Sequence, residues 1–168
     1  MIKLIVGNKG TGKTKVMVDM INENLEKVKG NIVCIEKGMQ LTHNVPTSVR
    51  LIDVDEFGIK GCKRFYGFFA GVCASNYDIE QIYVDGILKV LEHDVEDFAS
   101  LLAKIEPLTA DKLVVFTVSA DAEELPEEAR RDVVNFMISL DNEDRQMSQY
   151  EFFGSLDSLP LNDAKELF

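Results

Sequence analysis

The sequence predicts an α/β fold in which a mostly parallel sheet is covered by helices on both faces. Short runs of branched apolar residues alternate along the chain with longer segments whose apolar residues recur every three or four positions, which implies crossover connections. The run Leu-Val-Val-Phe-Thr-Val at residues 113–118 is nearly all branched or aromatic, the pattern of a strand buried on both faces. The first apolar run, residues 2–6, ends in a loop of Gly, Asn, Lys and Thr that opens directly into a helical pattern. With 168 residues, 46% of them hydrophobic and 10 of them Phe, the chain suits one domain with a sizeable core.

Each element has its own justification. Val16, Met17, Met20, Ile21, Leu25 and Val28 lie at helical spacing over residues 13–28, and Gly30 stops the run as a C-terminal cap does. Residues 31–35 form the second strand. A loop with Gly38, His43, Asn44 and Pro46 follows, then a third strand over 49–54. Residues 61–75 read as a helix despite their glycines, and 81–84 as a strand ending at Asp85. A helix is predicted over 88–105, because Val90, Leu91, Val95, Phe98, Leu101, Leu102 and Ile105 make one stripe. Pro126 fits the first turn of a last helix running to about residue 140, with Glu123, Glu124, Glu127 and Glu128 suited to its N-terminal dipole. Beyond it, Tyr150, Phe152 and Phe153 suit an edge strand or a docked segment.

The net charge is −11, unevenly spread. Residues 1–75 carry 11 Lys or Arg against 7 Asp or Glu, whereas residues 76–168 carry 7 against 22. The first half suits an anion, while an acidic chain repels a nucleic-acid backbone, so nucleic-acid binding is not expected. No apolar run approaches the roughly 20 residues that span a bilayer, and no membrane association is expected. Met1 leads into Ile-Lys-Leu-Ile-Val-Gly without the features of a secretion leader, which predicts a cytoplasmic protein. Cys34, Cys62 and Cys73 contain no CxxC pair and read as buried, inert thiols.

The most specific feature is Gly7-Asn8-Lys9-Gly10-Thr11-Gly12-Lys13-Thr14, a full match to G-x-x-x-x-G-K-[ST]. Its backbone N–H groups and the positive end of the following helix suit a phosphate; Lys13 would reach the β and γ phosphates, and the Thr14 hydroxyl would ligate magnesium. In a sheet of this class ligands lie outside the carboxyl ends of the strands, and Gly7, Asp85 and Ser119 all fall at such ends.

On these residues the chain resembles the P-loop nucleoside-triphosphatase superfamily, which implies a three-layer αβα fold with a mostly parallel central sheet. Ile82-Tyr83-Val84-Asp85 looks like a Walker B strand, whose aspartate holds magnesium; Asp55-Glu56 is the second choice. In the RecA-like and AAA-like branch the strand between Walker A and Walker B ends in a polar residue that senses the γ-phosphate, and Ser119 or Thr117 resembles it. The chain is also similar to the short ATP-binding P-loop proteins of bacteria.

Departures narrow the choice. Asn8 stands where the ParA- and MinD-like proteins have a signature lysine, and no N-K-x-D or L-S-G-G-Q sequence occurs, which favours ATP as the nucleotide by elimination. A faint likeness to compact thymidine kinases lacks their zinc-binding cysteines. Gly86 occupies the position where a glutamate often adjoins the Walker B aspartate; Glu56, Glu80 and Glu92 are the candidate replacements. Arg64, Arg130 and Arg131 are candidates for stabilising transition-state charge, and His43 and His93 are assigned no catalytic part.

The expectation is thus a nucleotide-binding domain over residues 1–140, with 141–168 an acidic, aromatic segment packed on it or partly mobile. Lys13, Asp85 and Ser119 are the predicted catalytic residues, residues 7–14 the nucleotide site, and Thr14 and Asp85 the magnesium ligands. The expected activity is slow or partner-stimulated Mg-dependent ATP hydrolysis. A small-molecule or nucleoside kinase and a non-hydrolysing, nucleotide-gated interaction module are the alternatives. A second copy or a protein partner is expected to meet the acidic C-terminal half.

Overall fold

Side chains alternate in direction along a strand, so each strand of a covered sheet feeds two cores. The computed structural model describes residues 1–127, 129 and 137–139, and shows this sorting in every central strand. Ile2–Val6 (β1), Asn31–Glu36 (β2), Arg50–Asp53 (β3), Ile79–Val84 (β4), Leu113–Val118 (β5) and Met137–Ser139 (β6) form one parallel sheet in the order β3-β2-β4-β5-β1-β6. The helix Lys13–Leu25 (α1) covers one face. Met17, Met20 and Ile21 pack there with Ile5, Ile32, Cys34, Tyr83 and Val115. On the other face, Leu4, Val6, Val33, Ile35, Ile82, Val84, Val114 and Phe116 meet the helices Cys62–Ser75 (α2), Ile87–Val90 (α3) and Val95–Ile105 (α4). The α/β class, three layers and parallel sheet agree with the sequence reading.

β5 is the strand read as buried on both faces, and it lies between β1 and β4, paired with each. One tie fixes α1 on its face. The Tyr83 hydroxyl accepts from Asn24 Nδ2 (2.9 Å) and donates to Gln81 Oε1 (2.7 Å), so a fully buried phenol has both its hydrogen-bonding functions satisfied.

Two elements differ from expectation. The helix predicted over 88–105 is two helices, separated where Glu92 and His93 take positive φ (55° and 67°) and Asp94 starts α4 afresh. Its apolar stripe runs through the break because Leu91 and Phe98 bury on the same core from both sides of it. His93 therefore lies in this turn and not on a helix surface. At the end of the predicted helix over 126–140, residues 137–139 form β6 beside β1; Pro126 and Glu127 precede it, and most of the interval lies outside the described residues, as does segment 141–168. Among the described residues no helix is long and apolar enough to cross a membrane.

Candidate functional site

The loop between β1 and α1 forms a cradle because its ends are pinned and its middle is glycine. Gly7 N–H donates to Val118 O (3.2 Å), tying the loop to the end of β5. Gly12 precedes α1 at φ 94°, ψ 11°, a left-handed conformation that β-carbon-bearing residues adopt only at a cost. No side chain caps α1 and its first turn holds no acid, so the first N–H groups of a 13-residue helix remain available to a ligand. Lys13 is 6% exposed and folds back into the loop, donating to Gly7 O and Asn8 O at 2.7 Å each, with Thr11 Oγ1 at 3.5 Å. Burial lowers the pKa of its ammonium, opposed by Asp85 and reinforced by Lys89. Asn8 Nδ2 donates to Asp121 Oδ1 (2.7 Å) beyond β5. Lys9 and Gly10 lie on the exposed tip.

Across the sheet a row of polar residues lies at the strand ends, and one of them, Asp85, meets Thr14 beside this cradle. Asp53 pairs in register with Glu36; the next positions after the pairs Ile35 with Val84 and Val84 with Phe116 are Glu36, Asp85 and Thr117. By strand alternation all four share the face of Cys34, Tyr83 and Val115, which is the face covered by α1. Asp85 is the hub of this row. Its Oδ1 accepts from the Thr14 hydroxyl (3.0 Å) and the Thr117 hydroxyl (2.7 Å), and Thr117 Oγ1 accepts in turn from Gly86 N–H (2.7 Å). Thr14 and Asp85, expected to share a magnesium ion, are thus in direct contact.

No protein-family model and no curated protein matches the sequence. Solved structures match in shape. FlaH, a flagellar accessory protein from Methanocaldococcus jannaschii, matches with a TM-score of 0.59 at 18% identity, over 82% of this chain and 70% of that one. PCH-2 from C. elegans matches with a TM-score of 0.52 at 14% identity, over 94% of this chain. This chain spans 38% of that protein. The fold is the three-layer P-loop nucleoside-triphosphatase fold. At these identities the likeness speaks for the fold alone.

Within that P-loop fold, the other sequence candidates part company. Of the two residues proposed to end the intervening strand, Thr117 is buried and bonded to Asp85, whereas Ser119 is exposed two residues further on. Asp55 and Glu56 lie in a short 3₁₀ turn after β3, both exposed, and neither is bonded to Thr14 or Asp85 among the described residues. Glu80 caps the opposite end of the sheet by accepting from Gly30 N–H (2.7 Å), and Glu92 sits in the turn between α3 and α4. Arg64 is exposed on α2, and Arg130 and Arg131 lie outside the described residues. The three thiols, Cys34 above all, are held protonated by burial, as inert thiols should be.

Sequence reasoning missed Glu36. It is 2% exposed; Oε2 accepts from the N–H groups of Gln40 (2.8 Å) and Leu41 (2.9 Å), while Oε1 is buried without a hydrogen-bond partner among the described residues. Burial raises its pKa against those two N–H bonds, and the nearby Asp53 and Asp85 raise it further. A signal was present: Glu36 ends an apolar strand just as Asp85 does, but the loop composition that follows draws it into residues 36–48.

Thr14 and Asp85 are oxygen donors of the kind magnesium accepts. Among the described residues no cluster of three His, Cys, Asp or Glu side chains suits a metal. A cation here would complete its shell with phosphate and water, which is how magnesium is held in nucleotide sites.

Proposed function

We propose that this chain binds Mg-ATP in the cradle and hydrolyses it, slowly alone and faster with a partner. The observation that carries hydrolysis is the buried carboxylate of Glu36, one oxygen fixed by the backbone and the other unpartnered, on the face of the sheet that meets the cradle. It supplies the base that Gly86 lacks. The free Oε1 takes the proton of a water whose oxygen forms a bond to the γ-phosphorus as the bond to the bridging oxygen breaks and ADP leaves. A raised carboxyl pKa matches that task, because a base poised nearer neutrality transfers protons more effectively than an ordinary glutamate.

The remaining residues bind and orient. Lys13, now on two backbone carbonyls, turns to the β and γ phosphates, and the α1 N-terminus receives the same oxygens. Thr117 holds Asp85 and the Gly86 turn in place for the cation. Magnesium, when bound, neutralises charge on the phosphate oxygens. A partner's contribution is consistent with the local arginines: of the two among the described residues, Arg50 and Arg64, neither is bonded to a site residue.

The test is phosphate release from Mg-ATP by the purified chain, with Glu36→Gln and Lys13→Ala beside it. Glu36→Gln should lower turnover about a hundredfold or more with ATP affinity largely kept, and Lys13→Ala should lose binding. Turnover in the parent should rise with pH through a limb above the ordinary glutamate range, and Glu36→Gln should abolish that limb. Full turnover in Glu36→Gln would refute the assignment. Tight binding without phosphate release would point to a gated module, and ADP formation only with an acceptor to a kinase.

A further inference from the structure

One cation at the site has no use in the arrangement above. Lys89 lies in α3, the single helical turn that follows Asp85-Gly86, and its side chain passes across Gly86. A Cβ placed on Gly86 would lie 3.3 Å from Lys89 Cδ, 3.5 Å from Cε and 3.6 Å from Nζ. Gly86 also has φ 64°, so a side chain there would be strained as well as crowded against Lys89. The position where a glutamate often stands is instead glycine, and a lysine runs over it.

The Lys89 ammonium makes no hydrogen bond or ion pair among the described residues. Its own backbone is well held: the N–H donates to Gly86 O (2.9 Å) and the carbonyl accepts from Lys37 Nζ (3.1 Å). Lys37 lies 3.9 Å from Asp55, whereas Lys89, like Lys13, has no carboxylate within ion-pair distance among the described residues. After burial, the charge of Lys89 is among the causes that lower the Lys13 ammonium pKa, and Gly86, over which the Lys89 side chain lies, follows Asp85, whose carboxylate meets the residue next to Lys13. Lys13 comes from within the loop between β1 and α1, and Lys89 comes from the β4 side, where Thr14 meets Asp85.

We propose that Lys89 is a specificity-determining residue that reads the terminal phosphate of ATP. The inference rests on the nucleotide site proposed above. Lys13 and the cradle hold the phosphates that ATP and ADP share, while the ammonium on the β4 side donates to the γ-phosphate oxygens. A terminal phosphate group carries close to two negative charges, and ADP offers none at that position. Two lysines that repel each other in the free protein are both neutralised when the triphosphate enters, which favours ATP over ADP. Removing a donor from a site built around a charged group costs the ligand that has the group, and leaves the ligand without it nearly unaffected.

The experiment is calorimetric titration of the full chain, in magnesium, with ADP and with β,γ-imido-ATP, which cannot be hydrolysed at the γ-phosphate. Lys89→Met should weaken the imido analogue about tenfold and ADP no more than about twofold. Lys89→Arg, which keeps the charge, should restore most of the preference. Lys89 is exposed, so the variants should fold, and circular dichroism checks this. Equal losses for both ligands, or no loss, would overturn the assignment. Lys13→Ala separates the two levels: if it binds both nucleotides as tightly as the parent, the cradle reading falls and the role of Lys89 falls with it.

Discussion

Two helices of this molecule begin in opposite ways. α4 begins on Asp94, whose carboxylate accepts from Asp97 N–H (2.8 Å), and Glu96 and Asp97 add negative charge to its first turn. α1, slightly longer, begins on a left-handed glycine, with no capping side chain and no acid in its first turn. By the usual rules α4 is the well-made helix: its orphan N–H groups are satisfied and its dipole is complemented. α1 forgoes this stabilisation at the edge of the sheet where Glu36, Asp85 and Thr117 converge. The helix α2 likewise begins on a glycine, Gly61, with no capping side chain and no acid in its first turn, so the open start of α1 points to an anion only together with the Lys13 cradle and the Thr14–Asp85 contact beside it. The contrast with α4 also accounts for why Lys13 turns inward onto Gly7 O and Asn8 O, since without an anion those carbonyls are its partners.

The strongest way to break the comparison is to give α1 the start that α4 has. A Cβ at Gly12 meets nothing within 4 Å, so Gly12→Asp fits sterically and places a carboxylate at the mouth of the cradle. Nucleotide affinity should fall at least about a hundredfold, because like charge replaces the donor field that attracts phosphate. Stability should fall by about 1–2 kcal/mol, the cost of a side chain in the left-handed backbone of residue 12. Calorimetric binding and a chemical melt read the two effects separately. Unchanged nucleotide affinity would mean that the α1 start binds no phosphate.

A milder change acts on the dipole alone. Lys15 is exposed in the first turn of α1, and Lys15→Glu gives that turn the acidic character of the first turn of α4. The free protein should gain about 0.3–1 kcal/mol, with nucleotide affinity falling severalfold at low salt and less at high salt. A gain in stability together with a gain in affinity would show that α1 does not face the phosphates.

What was legible in the sequence, and what was not, follows from the range of the forces involved. The cradle residues 7–14 and Asp85 are local signals: a glycine pattern at fixed spacing and an acid closing a buried strand. The strand order, with β5 between β1 and β4, was legible only through the family resemblance, because register and neighbour choice are set by contacts distant in sequence. The break at Glu92 and His93 was hidden because neither residue is Gly or Pro, and the apolar stripe continues across it. Met137, Ile138 and Ser139 continue an apolar helical pattern, yet they pair with Leu4, Ile5 and Val6; three residues are too few for period two to outweigh it. Ser119 was the predicted catalytic residue with Thr117 named beside it; the two have the same parity, and what separates them is register, since Thr117 is level with Asp85 and bonded to it whereas Ser119 lies beyond the end of β5.

The smallest expected effect comes from the other side of the comparison. Asp94→Ala removes the α4 cap and leaves the N–H of Asp97 to water, which is accessible there because Asp94 is exposed. The cost should be about 1 kcal/mol, lowering Tm by about 2–4 °C in a chain of this size. Nucleotide affinity should stay within about twofold, since α4 packs on the face of the sheet opposite α1. Asn at the same position should recover most of the loss, because the amide oxygen accepts the same bond without the charge. If Asp94→Ala instead weakened nucleotide binding as much as it weakened the fold, the two helix starts would be coupled through the sheet. The turn linking α3 to α4, with Lys89 at one end and Asp94 at the other, would be the path to examine, and thermal melts with and without Mg-ADP would separate that case from simple fraying of α4.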